Sequence, residues 1–324
     1  MYHLFPLFGG AIACIMMTIN GMMTTAAGSY FSTVVLHIGG LLFLIVLFAV
    51  RREKVHLFPA DIPWKEYLGG VIGVATVVMN NHAFGGVSVS AMVALALLGQ
   101  TVSSAVIDQF GLLGMPKRLF RKERLAGYAF MLLGILVMLF PFSGSGSRVS
   151  AVLLLLAGGV TVVITRALNG QITERVGVMQ ATLYNYIMGL VTAILVMLLI
   201  GRKEPIWMGT PLPTNPLLYI GGLLGVAVVV LENSSVHRVS AVYMTFLQFL
   251  GQVAAGIVVD TMLNGGIVWR NVAGGICIAL GLLLNAFIEQ RKKQRNHTAE
   301  DEFDSIVDPE QMVGDNTSCC NRNK

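Results

Sequence analysis

Apolar runs of about 20 residues, the length that crosses the hydrocarbon core as a helix, alternate with short polar breaks along most of the chain. Ten such segments can be read, near residues 5–24, 30–50, 66–84, 90–112, 124–142, 150–168, 178–200, 217–236, 240–262 and 268–288. Some breaks are very short, such as AFGGVS after the third segment and SSVHR after the eighth, and predict tight helical hairpins. The pattern stops near residue 289. The tail from 290 to 324 is polar with mixed charge, and it is expected to be disordered and outside the membrane.

The pattern also repeats. LLGQTVSSAVIDQFGLL begins at Leu97 and FLGQVAAGIVVDTMLNG at Phe249; Gln100 and Gln252 stand 152 residues apart, as do Asp108 and Asp260. At the same spacing YLGGVIGV, from Tyr67, matches YIGGLLGV, from Tyr219, and Asn81 matches Asn233. Nearer the start the spacing is 149: Gly10, Asn20, Gly21, Gly28 and Gly40 match Gly159, Asn169, Gly170, Gly177 and Gly189. A unit of about 150 residues is thus duplicated, which divides the chain into residues 1–145, residues 146–289 and the tail. Each unit holds five spans. An odd number makes the second copy enter the membrane from the opposite side, the inverted-repeat plan of many secondary transporters.

Composition and charge fit this plan. The chain has 324 residues, 55% hydrophobic and 12% charged, with a mean hydropathy of +0.73; soluble domains carry roughly 25% charged residues. The net charge of +5 therefore reports loop orientation rather than a nucleic-acid footprint. Basic clusters at Arg51–Lys54, Lys117–Arg124 and Arg291–Arg295 fall on one side of a ten-span chain, together with both termini, and that side is expected to be the cytoplasm. The basic loop before the fifth span has a counterpart before the tenth that keeps only Arg270, a loss that inversion predicts. The N-terminus has no basic region of a cleaved signal. The four cysteines have no metal-ligand spacing, and no cofactor motif is present.

The Asn20-Gly21 pair, the LGGVIG stretch from Leu68 to Gly73 and GQTVSSAVIDQFGLLG through Asp108 resemble the YdcZ-like branch of the drug/metabolite transporter superfamily, over roughly residues 8–142 and 156–288. The resemblance implies an inner-membrane exporter, bacterial, in which two units that other members encode separately and pair as an antiparallel dimer are fused. It implies a small-molecule substrate and a first helix of each unit that lines a central cavity, which makes Asn20 and Asn169 expected cavity residues. Fusion removes the need for a dimer, so a monomer and a homodimer both fit.

Ionisable residues inside spans are costly and mark function. Glu232 stands in the eighth span where the first copy has Asn80. A lone carboxylate facing a cavity can bind a proton and a cationic substrate in competition; the plainer reading is a helix-end acid paired with Arg238 or Arg166. Arg166 lies near enough in the membrane order to reverse the expected substrate charge, and is otherwise a gating or structural group. Asp108 and Asp260 sit at symmetry-related span ends and favour capping or gating over substrate binding. Gln100 and Gln252 lie deeper, where an amide bonds across helices or lines a cavity. His37 aligns with Tyr186 and suggests a polar face on the second and seventh spans, a lone histidine being more often a packing residue. Asn80 and Asn233 complete the candidate set. The function expected is proton-coupled export by alternating access. An intramembrane enzyme would need a convergent His/Asp/Glu cluster, which the spacing lacks. A scaffold or receptor, or an uncoupled facilitator, is the alternative.

Overall fold

The computed structural model describes residues 4–55, 62–114, 122–140, 146–236 and 241–306. The described part is helical: α1 (Phe5–Ala27), α2 (Ser29–Arg51), α3 (Leu68–Ala83), α4 (Val89–Phe110), α5 (Arg124–Leu139), α6 (Gly146–Leu199), α7 (Gly221–Val236), α8 (Ala241–Asn264) and α9 (Trp269–Ile306). Six stretches among the described residues are long and apolar enough to cross a membrane, and Arg124–Leu139 and Gly221–Leu231 are shorter apolar helices.

Where the sequence predicts ten separate spans, the described residues form nine continuous helical stretches, because α6 joins two helices across a kink within its 54 residues. At 1.5 Å per residue it would be about 80 Å long, far beyond the roughly 30 Å of hydrocarbon. Its backbone turns at Gly177, with φ 81° and ψ 164°. Gly28 turns the chain between α1 and α2 in nearly the same way, with φ 108° and ψ 158°. Both are left-handed values that favour glycine, at matching positions of the duplicated unit. The second difference is at the far end. The tail expected from residue 290 begins as a continuation of α9 through Ile306. RKKQRNHTAEDEF contains no Gly or Pro and is mostly strong helix formers, so helix can propagate past the apolar segment.

The helices pack mainly across the two halves. α1 lies against α7 and α8, and α6 against α3 and α4, while α2 meets α6 and α7, and α5 meets α9. The close contacts recur with the halves exchanged. A methyl added at Gly10 would strike the carbonyl of Gln248, and one at Gly159 the carbonyl of Ala96. Likewise Gly222 abuts the Leu36 carbonyl and Gly70 the Asn185 carbonyl. Small residues let backbones approach where burial of apolar surface cannot drive association. The largest buried cluster joins Val89–Leu95 of α4 to Cys14, Met131, Leu155, Phe249 and Ile278, so α4 is enclosed on all sides over its first half.

Candidate translocation site

Two ends of the bundle can be distinguished. At the Gly28 end, carboxylates hold helix N-termini. Asp260, 2% exposed, accepts from the backbone N–H of Val89 (2.8 Å) and Ser90 (3.0 Å), from Ser90 Oγ (2.6 Å) and from Asn271 Nδ2 (2.9 Å). The acid at the end of α8 thus meets the positive end of α4, where the first N–H groups lack helical partners. Glu204 does the same for α2, accepting from Tyr30 N–H (2.7 Å) and Phe31 N–H (2.9 Å). Sequence reasoning missed Glu204, which reads as a solvated charge beside Arg202 and Lys203; its tight fit against Gly28 is a tertiary fact. At the Gly177 end, buried Glu66 pairs with Arg175 at 3.2 Å, Gln180 Nε2 donates to the Lys54 carbonyl and Gln171 Nε2 to the Leu113 carbonyl.

Between the ends, the predicted polar residues separate into packing groups and open groups. Asn20 is buried against Gly221, and Asn169 stands in the same relation to Gly69; both lie in helix seams. Asn169 Nδ2 also donates to Asn185 Oδ1 at 3.3 Å. His37 and Tyr186 meet where α2 crosses α6, with ring centroids 5.7 Å apart. Each ring covers the glycine one turn along from its partner, His37 on Gly189 and Tyr186 on Gly40. His37 Nδ1 lies 2.7 Å from the Thr33 carbonyl, which can only accept, so this nitrogen carries the hydrogen. Tyr186 donates to the Gly222 carbonyl at 3.4 Å.

The seam of α3 and α6 is more polar. Thr76 and Thr161 hydroxyls are 2.7 Å apart. Asn80 lies beside Gly158, and Asn80 Oδ1 and Thr165 Oγ1 are buried with no hydrogen-bond partner among the described residues. Across the seam of α4 and α6, Arg166 Nη1 donates to Gln100 Oε1 at 3.1 Å, in an exposed position. Gln252 is partly buried on α8. The side chains of Asp108, Glu232 and Asn233 lie outside the described residues. Among the described residues no three His, Cys, Asp or Glu side chains stand together to hold a metal.

The two ends differ at equivalent positions. Gly21 is covered by the Phe84 ring from the turn after α3, whereas a methyl at its counterpart Gly170 would meet nothing within 4 Å among the described residues. Thr18, Asn20 and Gly21 on α1 are buried, but Ala167 and Asn169 are only partly so and Gly170 is exposed. Among the described residues, Gly21 on α1 is thus more closely covered than its counterpart Gly170 on α6.

The comparisons with known proteins bear on this architecture. No curated protein matches the chain. A solved structure described as "Crystal structure of protein" superposes with a TM-score of 0.63, at 15% identity, over 88% of this chain and 97% of its own; this likeness speaks for the fold alone. A family model described as "Putative inner membrane exporter, YdcZ" matches residues 1–137 and again 150–284. The same family unit is thus written twice, over most of the length. The chain belongs to the YdcZ branch of the drug/metabolite transporters, with two units fused in one polypeptide.

Proposed function

We propose that the protein is a secondary active transporter that exports a small metabolite or xenobiotic by alternating access, through ten spans arranged as two inverted five-span units. The observation that carries this reading is the exchange of roles in the packing. Gly10 on Gln248 is matched by Gly159 on Ala96, and Gly221 on Asn20 by Gly69 on Asn169. A two-fold axis in the membrane plane generates such pairs when each half has an odd number of spans. On this reading the kink at Gly177 divides α6 into two spans, which would bring the count to ten. With the basic loops inside, both termini and the Gly177 end face the cytoplasm of a bacterial inner membrane. In this reading Phe84 over Gly21 forms part of the outer seal, and exchange between two packing states alternates access between the ends.

Protons are the proposed coupling ion, with Glu232 as their site. Its first-unit counterpart Asn80 lies on the face of α3 against Gly158, which supports a polar role for this position of the unit. A transporter of this kind is not an enzyme and needs no cofactor. The test is flux. The purified protein is reconstituted in liposomes and a panel of labelled metabolites is offered with and without a pH gradient. A gradient-driven, saturable flux is expected, and Glu232→Gln should remove the pH-driven component, about 100-fold or more, while exchange of substrate persists. Driven flux unchanged in Glu232→Gln would remove the coupling role, and no flux of any solute from folded protein would remove the transport reading.

A further inference from the structure

We infer that Arg166 and Gln100 form a recognition site for an oxyanion, a carboxylate or phosphate group, at the seam of α4 and α6. This deepens the transport reading by giving the substrate a charge.

Arg166 lies 11 residues before the Gly177 break, about 16 Å along the helix. It stands two residues before the end of the apolar run 150–168, with VTVVIT before it and Asn169, Gln171, Thr173, Glu174 and Arg175 after it. A guanidinium near the end of a span reaches water or a polar partner rather than lipid. The structure places it in an exposed position, on the side where Gly170, one turn further on, opens to empty space among the described residues.

Gln100 Oε1 accepts from Arg166 Nη1 at 3.1 Å. This takes one of the five N–H groups of the fork and anchors one edge of the guanidinium. Among the described residues the ion pairs are Arg51–Glu53 and Arg175–Glu66, and neither satisfies Arg166. A planar guanidinium held by a neutral amide, with donors left over, matches the two oxygens of a carboxylate or phosphate. An amide partner also keeps the local charge positive, where an acid would cancel it. The other unit retains the amide as Gln252 but has Met17 in place of Arg166, so the duplicated pathway offers one such site.

The test is ligand-dependent thermal unfolding of the purified full-length protein at constant ionic strength. Succinate, citrate and inorganic phosphate serve as anionic probes, with choline and tetraethylammonium as cationic ones. At least one oxyanion should raise the Tm saturably, and neither cation should. Arg166→Gln should abolish the shift, while Arg166→Lys, which keeps the charge and loses the fork, should weaken apparent affinity about tenfold. A general salting effect would survive in Arg166→Gln; a shift that survives there, or no oxyanion shift in the unsubstituted protein, overturns the site. A Gln variant that does not fold is replaced by Gln100→Ala, which frees the fork and should likewise weaken oxyanion binding; unchanged binding there also overturns it. Flux of a cation or neutral solute in liposomes, without oxyanion binding, would leave the carrier standing and remove this inference alone.

Discussion

A buried carboxylate is tolerated only where donors converge on it, and Asp260 collects four, from Val89, Ser90 and Asn271. Replacing it with alanine leaves those donors buried and unpaired, at about 1–3 kcal/mol. Asp260→Ala is therefore expected to unfold at a markedly lower temperature in detergent; a Tm equal to that of the unsubstituted protein would mean that the contacts contribute nothing. The recurrence of Asp108 and Asp260 was legible from their spacing, as was their place at span ends. The partners of Asp260 were not, because Val89 and Ser90 are about 170 residues away and carry no mark in sequence of receiving a carboxylate. Arg166 was legible as a cation near the end of the sixth span, but its bond to Gln100 depends on how α6 packs on α4. Asn20 and Asn169 read as cavity residues by resemblance, yet they sit against Gly221 and Gly69, since small residues that open a helix surface also invite a neighbour to fill it.

At the scale of elements, spans were the most legible feature, because about 20 apolar residues are written out in full wherever a helix crosses lipid. Their ends were less so. α9 continues through Ile306 because nothing in the polar sequence after it breaks a helix, and in α6 a single kink at Gly177 stands where a loop was expected. Equivalent glycines on α1 and α6 now carry opposite expectations. Gly21→Ala drives a methyl into Phe84 and should cost about 1–3 kcal/mol by overpacking. Gly170→Ala meets nothing within 4 Å among the described residues and should be neutral, or stabilising by up to about 1 kcal/mol through helix propensity. Thermal unfolding of the two variants side by side checks this; equal losses would mean that both ends are packed alike.

For the molecule as a whole, the central claim is that two units of five spans run in opposite senses. Everything proposed about alternating access depends on it, and it turns on whether α6 crosses the membrane twice, reversing at Gly177. Two exposed positions decide the matter. Arg52 follows the second span and Trp207 lies in the segment after α6. With α6 crossing twice, five spans separate them and they face opposite sides; with α6 crossing once, four spans separate them and they face the same side. The measurement is labelling of Arg52→Cys and Trp207→Cys in intact cells by a membrane-impermeant thiol reagent, with the native cysteines removed. Labelling of the cysteine at 207 from outside, and of the one at 52 only after permeabilisation, is the predicted result. Labelling of both from one face would contradict the inverted arrangement and the transport mechanism built on it.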